Sequence, residues 1–276
     1  MLLAHAKAVD IYRREFQPTQ GGLIGVTLNC DWREPKPTDD PEEAKANAEA
    51  AERAMTFILG WYADPIYFGD YPQAMKDRVG ERLPKFTHEE KALLKGSSDF
   101  FGLNHYSTAY VTPSEAFMAG ILPADDRTSS MISDQGVEES TDPNWKKTDV
   151  SWPVVPWGIQ KLLLWIQKRY NPMNGIYVTE NGCAWPSRTK EEAQHDDFRV
   201  DFYRDYIAHV HKGIGEGADV RGYFAWSFAD NYEWAAGYSK RFGLHWVDYE
   251  TLERVPKKSA LWYGDVVRSN GLDVTE

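Results

Sequence analysis

Four short apolar runs, each divided from the next by a helix-forming stretch, limit what this chain can fold into more than any other feature. They occupy residues 23–28, 99–106, 176–178 and 220–225. Strands that alternate with helices pair in parallel through right-handed crossovers, because a parallel neighbour can be reached only by a long connection that covers one face. The third run ends in an ionisable group: Gly175-Ile176-Tyr177-Val178-Thr179-Glu180-Asn181-Gly182. Its apolar residues read as a short buried strand, and Asn181-Gly182 reads as a turn directly behind it. A carboxylate at the C-terminal tip of a buried parallel strand stands where an α/β barrel places its chemistry.

The helical stretches carry their own punctuation. Residues 2–16 have Leu2, Ala6, Val9 and Tyr12 near helical spacing. Asp40-Pro41-Glu42-Glu43 supplies an N-cap, a proline at the first helical position and acids in the first turn, and predicts a helix running to about residue 59. Thr87-His88-Glu89-Glu90 is a capping box, with Gly96 placed to end that short helix. Further helices are predicted over 157–170, 195–214 and 257–267, and a hairpin over 242–255. Residues 113–152 are polar and rich in Ser, Asp and Pro, so they read as one long loop. No internal repeat or linker divides the chain, which is read as a single domain over 1–276.

Composition excludes several classes. With 31 basic and 42 acidic residues the net charge is -11, opposite in sign to the basic surface that nucleic acid or an anionic membrane attracts. No apolar stretch nears the roughly 20 residues that span a bilayer, and the run at Met1-Leu2-Leu3-Ala4 is too short for a signal peptide. Two cysteines, Cys30 and Cys183, make no disulfide framework and suit a reducing, cytoplasmic setting as small buried filler. A metal hydrolase would need closely spaced ligands. Seven histidines are present, but His209 and His211 lie two apart on a helix and point different ways. The 11 tryptophans are core material and equally surfaces on which sugar rings stack.

Beyond the Glu180 strand, the run at 220–225 leads into Trp226-Ser227-Phe228-Ala229-Asp230-Asn231-Tyr232-Glu233-Trp234. Together the two segments resemble the retaining β-glycosidases of glycoside hydrolase family 1. Framework strings agree: Ala51-Glu52-Arg53-Ala54, Gly69-Asp70-Tyr71-Pro72 and Pro256-Lys257-Lys258-Ser259-Ala260. The resemblance implies an α/β fold of the (β/α)8 TIM-barrel type, of which this chain holds only the half made by strands 5–8. It implies Glu180 as nucleophile, with Tyr106 donating a hydrogen bond that keeps the carboxylate ionised and oriented. Asn104 shares a strand face with Tyr106, and His105 between them faces away. Glu233 and Trp234 match a clamp on the sugar hydroxyls, Trp226 the floor beneath the ring, Phe242 the wall near C6, and Trp152 the platform for the aglycone. The implied ligand is a β-glucoside or short β-linked oligosaccharide, with glucose and galactose both open. No cofactor or metal is implied.

Retention needs two carboxyl groups about 5 Å apart. The family's acid/base Glu belongs to an Asn-Glu-Pro motif that this chain lacks, and Glu34-Pro35 follows the wrong strand, with Arg33 in place of Asn. A half-barrel leaves two strand edges and an inner face uncovered. The chain is therefore expected to pair with a complementary half or to self-associate. The competing reading is a non-catalytic half-barrel that binds sugar weakly.

Overall fold

A computed structural model of the chain describes residues 1–120 and 130–272. In chain order the strands are β1 (Val26–Asn29), β2 (Trp32–Pro35), β3 (Phe101–Asn104), β4 (Thr108–Pro113), β5 (Val137–Ser140), β6 (Ile176–Asn181), β7 (Val220–Ala225), β8 (His245–Val247) and β9 (Arg254–Pro256). The principal helices are α1 (Leu2–Ile11), α2 (Pro41–Met55), α3 (Trp61–Phe68), α4 (His88–Leu94), α5 (Trp157–Tyr170), α6 (Asp197–Gly215) and α7 (Lys258–Ser269).

The four predicted strands form one parallel sheet in the order β1-β3-β6-β7. Its register sets the candidate site: Asn29 pairs with Asn104, Asn104 with Glu180, and Asn181 with Ala225. The C-terminal ends therefore share one rim, with local bulges beside Asn104 and between Val178 and Asn181. Close strand packing shows at Gly102, where a Cβ would stand 2.7 Å from Thr27 Oγ1.

One face of this sheet is covered by helices. Helix α5 turns Ile159, Leu162, Leu163, Ile166 and Tyr170 into the core, spacings of three and four residues that make one helical stripe. Helix α6 contributes Phe202, Tyr203, Tyr206 and Val210 to the same cluster, with Phe101, Leu103, Ile176 and Val178 from the strands. Each such side chain stabilises the fold by roughly 1.5–3 kcal/mol through burial. On the outer strands some apolar groups stay in solvent, with Phe224 58 % exposed.

The caps form as the sequence predicts. Asp40 accepts from the amides of Glu42 and Glu43, and Thr87 and Glu90 close a reciprocal capping box. Three predictions need correction. Helix α2 does not stop near residue 59 but passes through a π-turn (Thr56–Gly60) into α3 and ends at Gly69, whose φ of +89° is open to glycine. The first helix likewise runs past residue 16, through a π segment, to Gln20. The stretch 113–152 is not one loop: β5 pairs antiparallel with β4, which pairs parallel with β2, making a second sheet. Three of the four β5 residues are exposed, so the strand exists through backbone pairing and leaves no apolar alternation to read. Residues 121–129 of that stretch lie outside the described residues. The predicted hairpin is β8–β9.

Candidate active site

Glu180 stands on β6 one residue before its end, at the rim of the parallel sheet. The Tyr106 hydroxyl donates to Glu180 Oε2 at 2.5 Å. Tyr106 is steered there by its backbone, since the amides of Tyr106 and Ser107 both donate to Asp31 Oδ1 at 2.9 and 2.8 Å. Burial first, then the bond to Glu180 and its charge, push the phenol far above its ordinary range, so Tyr106 keeps its proton and donates it to Glu180.

The strand tips are tied together beneath Glu180. The Thr179 hydroxyl donates to Asn104 Oδ1 at 2.7 Å. Asn181 is fully buried: its Nδ2 donates to the His105 carbonyl at 2.8 Å, and its Oδ1 accepts from the Tyr223 hydroxyl at 2.6 Å. The His105 amide donates to the Glu180 carbonyl at 2.9 Å, and the Trp226 amide to the Asn181 carbonyl at 2.8 Å. Three neighbouring strands, β3, β6 and β7, are thereby locked at one level. His105 points into the interior, fully buried, and burial lowers its pKa.

The opposite wall comes from residues 226–242. Glu233 is held in a tight turn, its amide donating to the Gly237 carbonyl at 2.7 Å. Burial and the nearby charge of Glu180 raise its pKa, while hydrogen bonding to the Trp226 side chain opposes that rise. Phe242 is buried against Tyr106, ring centroids 6.3 Å apart and edge-on. Trp152 lies 5.3 Å from Tyr106 and 6.0 Å from Phe242. Trp234 is 82 % exposed.

These groups line a cleft of about 660 Å³. It brings together all eight residues singled out from the sequence: Asn104, Tyr106, Trp152, Glu180, Trp226, Glu233, Trp234 and Phe242. Glu34 is turned elsewhere, accepting from Trp32 Nε1 at 2.6 Å and from Lys161 at 2.5 Å. The cleft also holds Asn29, Asp31, Asn231 and Tyr232, which the sequence reading passed over. Asn29 and Asp31 could have been found by applying to the first strand the rim rule that picked out Glu180. Among the described residues, no group of three or more His, Cys, Asp or Glu side chains could hold a metal ion, and no helix is long and apolar enough to cross a membrane.

A carboxylate nucleophile candidate, a phenol fixed on it and a tryptophan-walled cleft at the rim of a parallel α/β sheet define the glycoside hydrolase class. The chain belongs to glycosyl hydrolase family 1, whose model matches residues 1–272, and with it to the α/β (β/α)8 fold. It is 42 % identical over 278 residues to β-glucosidase 4 of Oryza sativa subsp. japonica, covering 98 % of this chain and 55 % of that protein. It is 38 % identical over 284 residues to the lactase-like protein of Mus musculus, covering 98 % and 48 %. Among solved structures, the rice Os3BGlu6 β-glucosidase superposes with a TM-score of 0.86 at 40 % identity, over 95 % of this chain and 55 % of that one. A family 1 β-glucosidase from the fungus Humicola insolens, in complex with glucose, gives 0.86 at 41 %, over 97 % and 55 %. The chain spans about half the length of the relatives it matches.

Proposed function

We propose that this chain carries the nucleophile and the sugar-holding side of a retaining β-glucosidase site. Glu180 attacks the anomeric carbon of a terminal β-D-glucosyl or β-galactosyl residue. The new bond from the carboxylate oxygen to carbon forms as the glycosidic bond breaks, and water later releases the sugar from the covalent glycosyl-enzyme. We assign the attack to Oε1, because Tyr106 engages Oε2. Trp226 lies under the ring, Glu233 and Trp234 hold its hydroxyls, Asn104 and Phe242 complete the glycone pocket, and Trp152 faces the aglycone. The observation that carries this reading is the 2.5 Å bond from Tyr106 to Glu180, at the strand rim of the cleft that also contains Glu233.

The acid that protonates the leaving oxygen is assigned to a Glu outside this chain. Asp31 spends an oxygen on two backbone amides, and Glu233 hydrogen-bonds Trp226. The four parallel strands are read as strands 5–8 of the family's barrel, completed by a complementary half or by a second copy. The exposure of Phe224 on the outer strand supports that reading. Without the acid, ordinary leaving groups depart about 10²–10⁴-fold more slowly.

A second reading, a non-catalytic fragment that binds sugar weakly, is favoured by the open sugar wall, where Tyr232 is 61 % exposed. Dinitrophenyl β-glucoside separates the two, because its leaving group needs no acid. Release of dinitrophenol by the 276-residue chain, accelerated by azide, is the expected result. No release with or without azide would favour the non-catalytic fragment.

A further inference from the structure

The loop that bears Glu233 is tied near its end by Lys240, which donates to the Asp149 carbonyl at 2.8 Å and pairs with its carboxylate at 3.0 Å. Tyr232, Trp234 and Tyr238 are 61, 82 and 57 % exposed, so apolar burial does not fix its position. Its first and last residues are instead gathered on one carboxylate. Asp230, whose side chain has no solvent exposure, accepts from Lys257 Nζ at 2.8 Å and the Gly243 amide at 2.9 Å on Oδ1, and from Arg241 Nη1 at 2.6 Å on Oδ2. Gly243 is forced by this closure, since a Cβ there would stand 2.0 Å from the Asp230 amide. Asp230 precedes Glu233 by three residues, Arg241 and Gly243 follow it, and Lys257 immediately precedes α7. One carboxylate therefore fastens both ends of the loop to the body of the protein.

The fastening continues inward. Arg241 also donates to the Val247 carbonyl at 2.9 Å, and its guanidinium lies over the rings of Tyr249 and Trp246. Its own carbonyl accepts from Arg199 Nη2 at 2.8 Å. Arg199, fully buried on α6, pairs with Asp196 at 2.5 Å, and Asp196 in turn holds the Ser259 hydroxyl of α7. Charges taken out of water persist only when paired and hydrogen-bonded, and a network so satisfied is rigid.

We propose that Asp230, clamped by Lys257 and Arg241, is a positioning residue that fixes Glu233 and Trp234 opposite Glu180, and so sets how strongly a sugar hydroxyl is held without touching the sugar. The proposal rests on the reading of Glu233 as the sugar clamp.

Its test compares D-glucose with 4-deoxy-D-glucose, which lacks the 4-hydroxyl that this proposal gives to Glu233, in titrations of the 276-residue chain and its Asp230→Asn variant. The ratio of the two dissociation constants does not depend on the fraction of folded protein. A hydrogen bond to a charged acceptor makes that ratio about tenfold or more in the starting protein. Asp230→Asn is expected to bring it to within about twofold of unity. A ratio that stays unchanged in the variant would overturn the proposal. The Asp230→Asn/Lys257→Met pair removes one charge of each sign and guards against a variant that fails to fold. If the starting chain binds neither sugar, it is the sugar-clamp reading that fails. The positioning role is then decided by amide exchange: faster exchange over 231–240 with 176–181 unchanged supports it, and equal exchange in both proteins overturns it.

Discussion

Glu180 and Glu233 face the same cleft, yet they are held in place by different means. Glu180 sits in a ladder of parallel strands whose tips are bolted by neutral groups, Asn181, Tyr223 and the His105 backbone. Glu233 hangs on a loop fastened by charges, with Asp230 between Lys257 and Arg241. A strand ladder positions a side chain through many repeated backbone bonds, so its geometry and the stability of the fold stand or fall together. A loop held at two ionic points, Asp230 and the Lys240–Asp149 pair, can lose its geometry while the fold survives. The nucleophile side of the cleft is thus built as part of the core, and the sugar-holding side as an attachment to it.

The largest effect that would test this contrast falls on the chemistry. Glu180→Gln keeps the shape of the side chain and its contact with Tyr106 but removes the attacking oxygen. Release of dinitrophenol from its β-glucoside is expected to fall by about 10⁴-fold or more, while denaturant unfolding shifts by less than about 1 kcal/mol. Glucose binding, carried by the other wall, persists. Undiminished release from the variant would mean that another group attacks.

Asn181→Ala addresses the bolts themselves. It strips the His105 carbonyl and the Tyr223 hydroxyl of a buried partner. Leaving two such groups unsatisfied costs about 2–4 kcal/mol, readable as a lower urea midpoint at constant slope. Exchange should quicken across 101–106 and 176–181. Were it to quicken over 231–240 alone, with global stability intact, the two walls would share one support and the contrast would collapse.

Much of the strand-borne wall was legible because its signals are local. The apolar runs mark the four strands, and period-two alternation sets Asn104 and Tyr106 on one face. The Asp40 and Thr87 caps and the limits of α5 are written in adjacent residues. The loop-borne wall was legible only in its contact residues, through the Trp226–Trp234 motif. Its fastening was not, because a charged residue in a sequence reads as solvated, and nothing near Lys257 or Arg199 tells that both side chains have no exposure. Lys257 meets Asp230 across 27 residues of chain, Arg199 meets the Arg241 carbonyl across 42, and Ser259 meets Asp196 across 63. The second sheet escaped for a related reason: the pairing of the central strand β4 with β2 and with β5 is a backbone event between stretches far apart in sequence.

The smallest effect is also the sharpest on the ionic side. Burial pulls Lys257 from its ordinary 10.5 down to about 8, and Arg199 pulls the same way, while Asp230 and Asp196 resist. The groups that face it are thus Arg199 on α6, Asp196 just before that helix, and Asp230 on the loop. Between pH 8 and 10.5 the unfolded chain binds more protons at this lysine than the native chain does. Its contribution to stability therefore rises with pH across that window. Loss of the proton also removes one charged donor from Asp230, leaving Arg241 and the Gly243 amide. The glucose to 4-deoxyglucose affinity ratio is expected to fall about threefold to fivefold between pH 7 and 9, while this lysine makes the fold no less stable. Lys257→Met should flatten both trends. A ratio that holds constant across this range in the unaltered chain would take Lys257 out of the fastening and leave Arg241 as its charged member.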